Sequence, residues 1–212
     1  MTDLPELLLL RHGETEWNLQ GRFQGALDST LTARGRAQAE AMGGVLRSLG
    51  AGPLTHAALT SPQGRARETA RITLEPLGLV ARDDPRLVEI GMGLWTGLCR
   101  QDIEDRWPGP AAEPLFDFYA RCPGGETLAE VGHRARAVLA ELSGPTIIVT
   151  HGMTLRVLCA LALGRPLEEG GAFAMRQGSL VRVAGGRMEI IAPEPMGLPA
   201  LATRGNPSAT GG

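Results

Sequence analysis

Leu7-Leu8-Leu9-Leu10-Arg11-His12-Gly13 is the stretch that decides the fold, and Thr146-Ile147-Ile148-Val149-Thr150-His151-Gly152 repeats its form. Each is a short apolar or β-branched run that stops at His-Gly. An alternating pattern would mark a strand with one wet face. An unbroken run marks a strand buried on both faces, as in a parallel sheet covered by helices.

The segments between these runs read as helices. Residues 31–49 repeat Ala37, Ala41, Val45 and Leu49 at helical spacing behind Thr32, a candidate cap. Residues 55–60 form a strand candidate, and Ser61-Pro62 then predicts a helix start, with the helix running to Glu75. Residues 77–82 and 85–90 read as short extended pieces. Thr127-Leu128-Ala129-Glu130 is a capping box, with Leu128, Val131, Ala135, Val138 and Leu142 behind it on one face and His133 on the other. A further helix is expected from Met153 to Leu163. Residues 179–183 and 188–191 flank Gly185-Gly186 as a closing hairpin. Strands alternating with helices predict an α/β three-layer sandwich, with a mostly parallel central sheet and helices on both faces.

A chain of 212 residues with no linker suits one domain, 1–212, since domains span ~50–250 residues. Residues 97–125 are too irregular and too long for a simple connection, and read as short helices forming a lid or side wall. Their aromatics Trp107, Phe116, Phe118 and Tyr119 read as packing anchors. Residues 193–212 read as an irregular tail. Aromatics make up only 4%, so Leu, Val, Ile and Ala must fill the core.

All 21 basic side chains are Arg, and the formal charge is -2. There is no basic stripe with interleaved aromatics, which argues against a nucleic-acid partner. Cys99, Cys122 and Cys159 are too few and too dispersed for a disulfide framework or a zinc cluster. The start Met-Thr-Asp-Leu-Pro-Glu is acidic where a signal peptide would be basic. Leu7 to Leu10 falls far short of the ~17–25 residues of a membrane span. A cytoplasmic protein without a membrane partner is the expectation. A homodimer is the commonest form should the chain associate.

In an open α/β sheet, ligands gather beyond the carboxyl ends of the strands, where His12 and His151 both lie. The glycine after each lets the chain turn and brings backbone N–H groups near a ligand. The helix after His151 offers its positive end to an anion. Arg11 adjoins His12, and Arg65 falls in the first turn after Ser61-Pro62. Planar guanidinium forks suit the three equatorial oxygens of a phosphoryl group. Arg67 and Arg71 read as solvated helix surface.

Arg11-His12-Gly13-Glu14-Thr15-Glu16-Trp17-Asn18 resembles the signature of the histidine phosphatase superfamily, also called the phosphoglycerate-mutase-like family. Leu31-Thr32-Ala33-Arg34-Gly35 with Gln38-Ala39 is similar to that family's next segment. Ser61-Pro62-Gln63-Gly64-Arg65-Ala66-Arg67-Glu68-Thr69-Ala70 is similar to its second arginine motif. Leu87-Val88-Glu89-Ile90-Gly91 with Trp95 and Gly97 resembles its acid-bearing segment. Gly124-Gly125-Glu126-Thr127, then Thr150-His151-Gly152 with Arg156, complete the order. These motifs in sequence cover about three quarters of the chain, roughly residues 7 to 160.

The resemblance implies a phosphoglycerate mutase-like fold and a phosphomonoester hydrolase acting on a small phosphorylated metabolite. His12 would be the nucleophile that forms a phosphohistidine. Arg11, Arg65 and His151 would clamp the phosphate, with Asn18 and Gly152 also in its binding site. Glu89 would be the general acid, a role that composition and spacing alone do not assign over Glu14, Glu16 or Asp84. The Nδ1 of His12 should donate to the Gly13 carbonyl, leaving the other nitrogen free to attack. Gln20, Arg22, Phe23 and Gln24 either border the leaving group or pack and cap their loop. No metal or other cofactor is expected, because Arg and His supply the positive charge.

The family also holds cofactor-dependent phosphoglycerate mutases, which place Arg directly after the catalytic Glu and adjacent arginines in the excursion before the last His. Here Ile90 follows Glu89, and the excursion carries only isolated Arg100, Arg106 and Arg121. That departure favours hydrolysis over isomerisation. A catalytically silent phospho-ligand or protein-binding module is the remaining alternative.

Overall fold

The computed structural model describes residues 4–191, so the tail expected over 193–212 lies outside the described residues. In chain order the elements are β1 (Leu7–Arg11), α1 (Glu16–Leu19), α2 (Ala33–Ser48), β2 (Ala57–Thr60), α3 (Gly64–Leu74), β3 (Arg82–Asp83), α4 (Arg100–Arg106), α5 (Leu115–Ala120), α6 (Leu128–Ala140), β4 (Thr146–Thr150), α7 (Gly152–Ala162), β5 (Leu180–Ala184) and β6 (Arg187–Ile191). The strands form one six-stranded sheet in the order β3-β2-β4-β1-β5-β6. β3, β2, β4 and β1 run parallel, and the β5–β6 hairpin closes the sheet, with β5 antiparallel to β1 and to β6.

The unbroken leucine run is explained by the layers on either side. Leu7 and Leu9 face the cluster built with Val131, Ala135, Leu155 and Leu158 of α6 and α7. Leu8 and Leu10 face Met42 and Leu46 of α2 and Ala66, Ala70 and Leu74 of α3. Successive side chains of a strand point to opposite faces, so a strand with helices on both sides needs an apolar residue at every position. The three-layer expectation holds. No helix among the described residues is long and apolar enough to cross a membrane.

Three local expectations need correction. α2 does not bury the Ala37–Ala41–Val45–Leu49 stripe. It buries Gly35, Gln38, Ala39, Met42, Gly43 and Leu46. The glycines decide this, because a Cβ on Gly35 would lie 2.0 Å from the Glu14 carbonyl oxygen and one on Gly43 2.9 Å from that of Thr73. Only that face comes close enough to pack.

The helix expected from Pro62 starts at Gly64 instead, and Gln63 at its N-cap makes no side-chain cap bond. Asp28 caps it from a distant loop, its carboxylate accepting from the backbone N–H groups of Gly64 and, at 3.2 Å, of Arg65. Ser61 stays extended, its N–H donating to the Val149 carbonyl at 3.0 Å. Of the extended pieces expected over 77–82 and 85–90, only Arg82–Asp83 pairs as a strand; Glu75–Leu77 and Pro85–Leu87 are 3₁₀ turns. The capping box at Thr127 and Glu130 and the closing hairpin form as expected.

Candidate active site

Register brings the two His-Gly turns side by side. β1 and β4 pair in parallel with Arg11 opposite Thr150, so His12 and His151 leave adjacent strands at the same level. Their ring centroids lie 5.2 Å apart. β2 pairs with the other edge of β4, placing Ser61 beside His151, with Ser61 Oγ 2.8 Å from His151 Nε2. Ser61 Oγ also accepts from the Gln63 N–H at 3.3 Å, so the hydroxyl is held between that amide and the imidazole. The Ser61 hydroxyl therefore orients a ring instead of capping a helix, a role that only the strand order reveals.

His12 is buried, and its Nδ1 lies 2.7 Å from the Gly13 carbonyl oxygen. That contact turns Nε2 outward as the nitrogen with a free lone pair. Gly13 itself is required for close approach, since a Cβ there would meet the Gly35 carbonyl oxygen at 2.3 Å. Its N–H donates to Thr69 Oγ1 at 3.1 Å, which corrects the expectation that it faces a ligand. Gly152 has a different reason: the Arg11 guanidinium carbon would lie 3.2 Å from a Cβ there.

A cavity of about 210 Å³ opens over this end of the sheet, lined by Arg11, His12, Asn18, Arg65, Glu89 and Tyr119 among others. Arg11 is fastened through Nη1 to the Met175 carbonyl at 2.7 Å. Arg65 is held by the Leu27 carbonyl at 2.7 Å and by Asp28 at 2.8 Å. Six buried side-chain nitrogens among the described residues lack a protein partner, and four of them are Arg11 Nε, Arg65 Nε, Arg156 Nε and His151 Nδ1. Buried donors without acceptors are costly and concentrate where a ligand binds. The three guanidinium Nε–H groups among them have the chemistry to bind an anion.

Glu89 sits on the cavity wall at the start of α7. Its Oε1 accepts from Ile90 N at 3.0 Å, Met153 N at 3.1 Å and Thr154 N at 3.2 Å, and its Oε2 from Met153 N at 3.2 Å. The positive end of α7 therefore holds the Glu89 carboxylate, where the sequence suggested a ligand anion. Oε2 carries fewer of these bonds than Oε1 and is the less encumbered oxygen.

Asn18 accepts at Oδ1 from Thr15 N at 3.1 Å and from Thr15 Oγ1 at 2.9 Å, which leaves its amide NH₂ for the cavity. Gln24 lines the cavity, but both ends of its amide are committed, to Thr15 Oγ1 at 2.9 Å and Ser29 Oγ at 3.2 Å. Arg22 and Phe23 line the mouth; Gln20 does not, and instead accepts from Arg22 Nε at 3.1 Å. Tyr119, which lines the cavity, and Arg156, which does not but lies within Coulombic reach of Arg11 and Glu89, are residues whose importance the sequence understated. Tyr119 sits one position from the core residue Phe118, and burial followed by Glu89 raises its pKa. Arg156 lies one helical turn beyond Gly152, within Coulombic reach of Glu89, a spacing that could have marked it. Phe116 and Phe118 are buried, as expected of packing anchors.

Burial, then Arg65 and Arg11, pushes the pKa of His12 well below its ordinary 6.5. Burial and Arg65 push His151 the same way. Both imidazoles are neutral in the folded protein near pH 7. An unfolded chain takes up protons on them below pH 6.5, so stability should fall as pH drops through that value. The slope is about 1.4 kcal/mol per pH unit for each histidine kept neutral. Urea midpoints measured from pH 7.5 to 5.5 check this; a flat profile would contradict it.

The sequence profile of the histidine phosphatase superfamily (branch 1) matches residues 7–190. The chain belongs to that superfamily. It is 37% identical over 187 residues, 84% of each protein, to a probable phosphoglycerate mutase GpmB of Serratia proteamaculans. Mycobacterial glucosyl-3-phosphoglycerate phosphatase, in a structure with VO3, superposes with a TM-score of 0.75 at 31% identity, over 89% of this chain and 98% of that one. TTHB049 of Thermus thermophilus superposes with a TM-score of 0.64 at 32% identity, covering 89% and 98%. Phosphatases and proteins named as mutases thus both stand among the superfamily relatives of this chain.

Proposed function

We propose that the chain is a phosphomonoester hydrolase that acts on a small phosphorylated metabolite through a phosphohistidine on His12. The observation carrying this reading is the pair of unpartnered guanidinium Nε–H groups, on Arg11 and Arg65, that line one cavity with a neutral His12, whose ring lies 5.2 Å from that of His151. Arg11, Arg65, His151 and Asn18 hold the phosphoryl oxygens, with Gly152 giving the Arg11 guanidinium room. Nε2 of His12 attacks phosphorus while the ester P–O bond breaks, and Glu89 delivers a proton to the departing oxygen. Glu89, now ionised, takes a proton from water as that water attacks the phosphohistidine; the P–N bond breaks and phosphate leaves. Positioned charge does most of the work, as is usual for phosphoryl transfer.

The cavity is smaller than the ~300–1,000 Å³ of sites that enclose drug-sized ligands, which supports a small substrate. A mutase needs cations for a second acidic group, and the excursion has none to spare there. Arg121 is tied to Glu113 at 2.9 Å and Glu104 at 3.0 Å, and Arg100 lies 4.3 Å over the Phe118 ring while pairing with Glu104 at 3.4 Å. Arg106 is exposed on α4 and does not line the cavity. On this reading the 97–125 segment is the side wall that limits the substrate. Three unpaired cysteines suit a reducing cytoplasm.

A mutase remains the second reading, because curated relatives carry that name and Arg22 lines the cavity mouth. The two separate on one assay. The enzyme is expected to release phosphate from a panel of phosphomonoesters faster than it interconverts 2- and 3-phosphoglycerate. Efficient interconversion with negligible release would refute hydrolysis. Ser61→Ala is expected to lower kcat/KM about tenfold, the equivalent of one lost hydrogen bond that orients His151; unchanged kinetics would remove Ser61 from the site.

A further inference from the structure

Glu89 lies between two 3₁₀ turns, Pro85–Leu87 and Gly93–Trp95, in a stretch with no ladder or helix bonds of its own. Its backbone is held mostly by side chains instead. Arg134 Nη1 donates to the Arg86 carbonyl at 2.6 Å, Thr150 Oγ1 to that of Leu87 at 2.7 Å, and Thr154 Oγ1 to that of Val88 at 2.6 Å. Glu89 N donates to Gln63 Oε1 at 2.9 Å. Gly91 N donates to Glu126 Oε2 at 3.1 Å, and the Gly91 carbonyl accepts from Glu126 N at 2.9 Å.

Two of these side chains form a hub. Arg134 binds both oxygens of Glu126, through Nε at 2.8 Å and Nη2 at 3.1 Å, and Nη2 also reaches Thr154 Oγ1 at 3.3 Å. The pair is mostly buried, with side chains 13% and 22% exposed, so the geometry is not loosened by solvent. One ion pair thereby ties both ends of the 86–91 stretch, and through Thr154 the start of α7, to a single fork. Gly125 is needed for the approach, because a Cβ there would meet the Cys122 Cβ at 3.0 Å and the Gly91 carbonyl at 3.1 Å.

We infer that Glu126 and Arg134, acting through Thr154, are positioning residues that hold Glu89 at the distance from which it protonates the leaving oxygen. This gives the Gly124-Gly125-Glu126-Thr127 motif a task in the reaction, and it rests on the reading of Glu89 as general acid. A displaced acid harms only steps that need its proton. An alkyl phosphate needs it, because its alkoxide is a poor leaving group; 2,4-dinitrophenyl phosphate does not.

The test measures kcat/KM, which reports departure of the leaving group, for these two esters in Glu126→Gln, Thr154→Val and Arg134→Lys, beside Glu89→Gln. Glu126→Gln and Thr154→Val are expected to lose up to about 10²-fold on the alkyl ester and less than about threefold on the dinitrophenyl ester. In a Glu89→Gln background the added losses on the alkyl ester should vanish, since no acid is left to misplace. Melting temperatures identify any variant that fails to fold, and Thr154→Val, the mildest change, then decides. Equal losses on both esters, no loss, or a loss that persists without Glu89 would each overturn the positioning role. If Glu89→Gln itself shows no difference between the esters, the general-acid reading fails and the inference falls with it.

Discussion

His12→Ala is expected to lower kcat/KM by about 10⁴–10⁶-fold and to abolish a phosphoenzyme trapped in alkaline detergent. Removing a nucleophile that acts together with its partners costs nearly the whole chemical advantage, leaving only what binding and positioned charge supply. His12 is suited to this role because two effects act on opposite sides of its ring. The Gly13 carbonyl holds Nδ1 at 2.7 Å, while burial, Arg65 and Arg11 keep the ring unprotonated. Cationic neighbours that would repel an imidazolium attract the dianionic substrate. The acid limb of kcat/KM for the wild-type enzyme should accordingly lie below pH 6.5. Label that survives in His12→Ala would move the nucleophile elsewhere, and no label in the wild type would argue for direct attack by water.

Glu89→Gln is the second large effect, with an expected loss of about 10²–10⁴-fold on alkyl phosphates. The amide keeps the size of the carboxyl but cannot deliver a proton, so the leaving oxygen must depart as an alkoxide. Shape and donors around it change little: Met153 and Thr154 still offer N–H groups to the remaining oxygen. The loss should shrink towards zero as the leaving group improves, giving a steeper dependence of log kcat/KM on leaving-group basicity than in the wild type. A loss of equal size on every ester would recast Glu89 as a structural carboxylate that merely fills the N-terminus of α7.

The two strands buried on both faces, and the chemical edge beyond them, were legible in the amino-acid order. Leu7 to Leu10 and residues 146–150 lack a polar residue on either face at their centres, and only a strand between two helical layers has that requirement. His12, Arg11 and His151 were legible for the same reason: polar residues directly beyond such strands have no structural need to be there. The Thr127 capping box was legible because both of its bonds join residues three apart.

Contacts between distant segments could not be read this way. Asp28 capping α3, Ser61 orienting His151 and Glu126 with Arg134 fastening the Glu89 stretch each depend on strand order and helix approach. Glu89 itself stood out from its neighbouring carboxylates by resemblance alone, since no local period marks it. Periodicity reports whether a residue faces a core, because burial follows the repeat of its own element. Which charge meets which donor depends on how elements dock, and that docking was decided by close approaches at Gly35, Gly43 and Gly152 that only the folded chain displays.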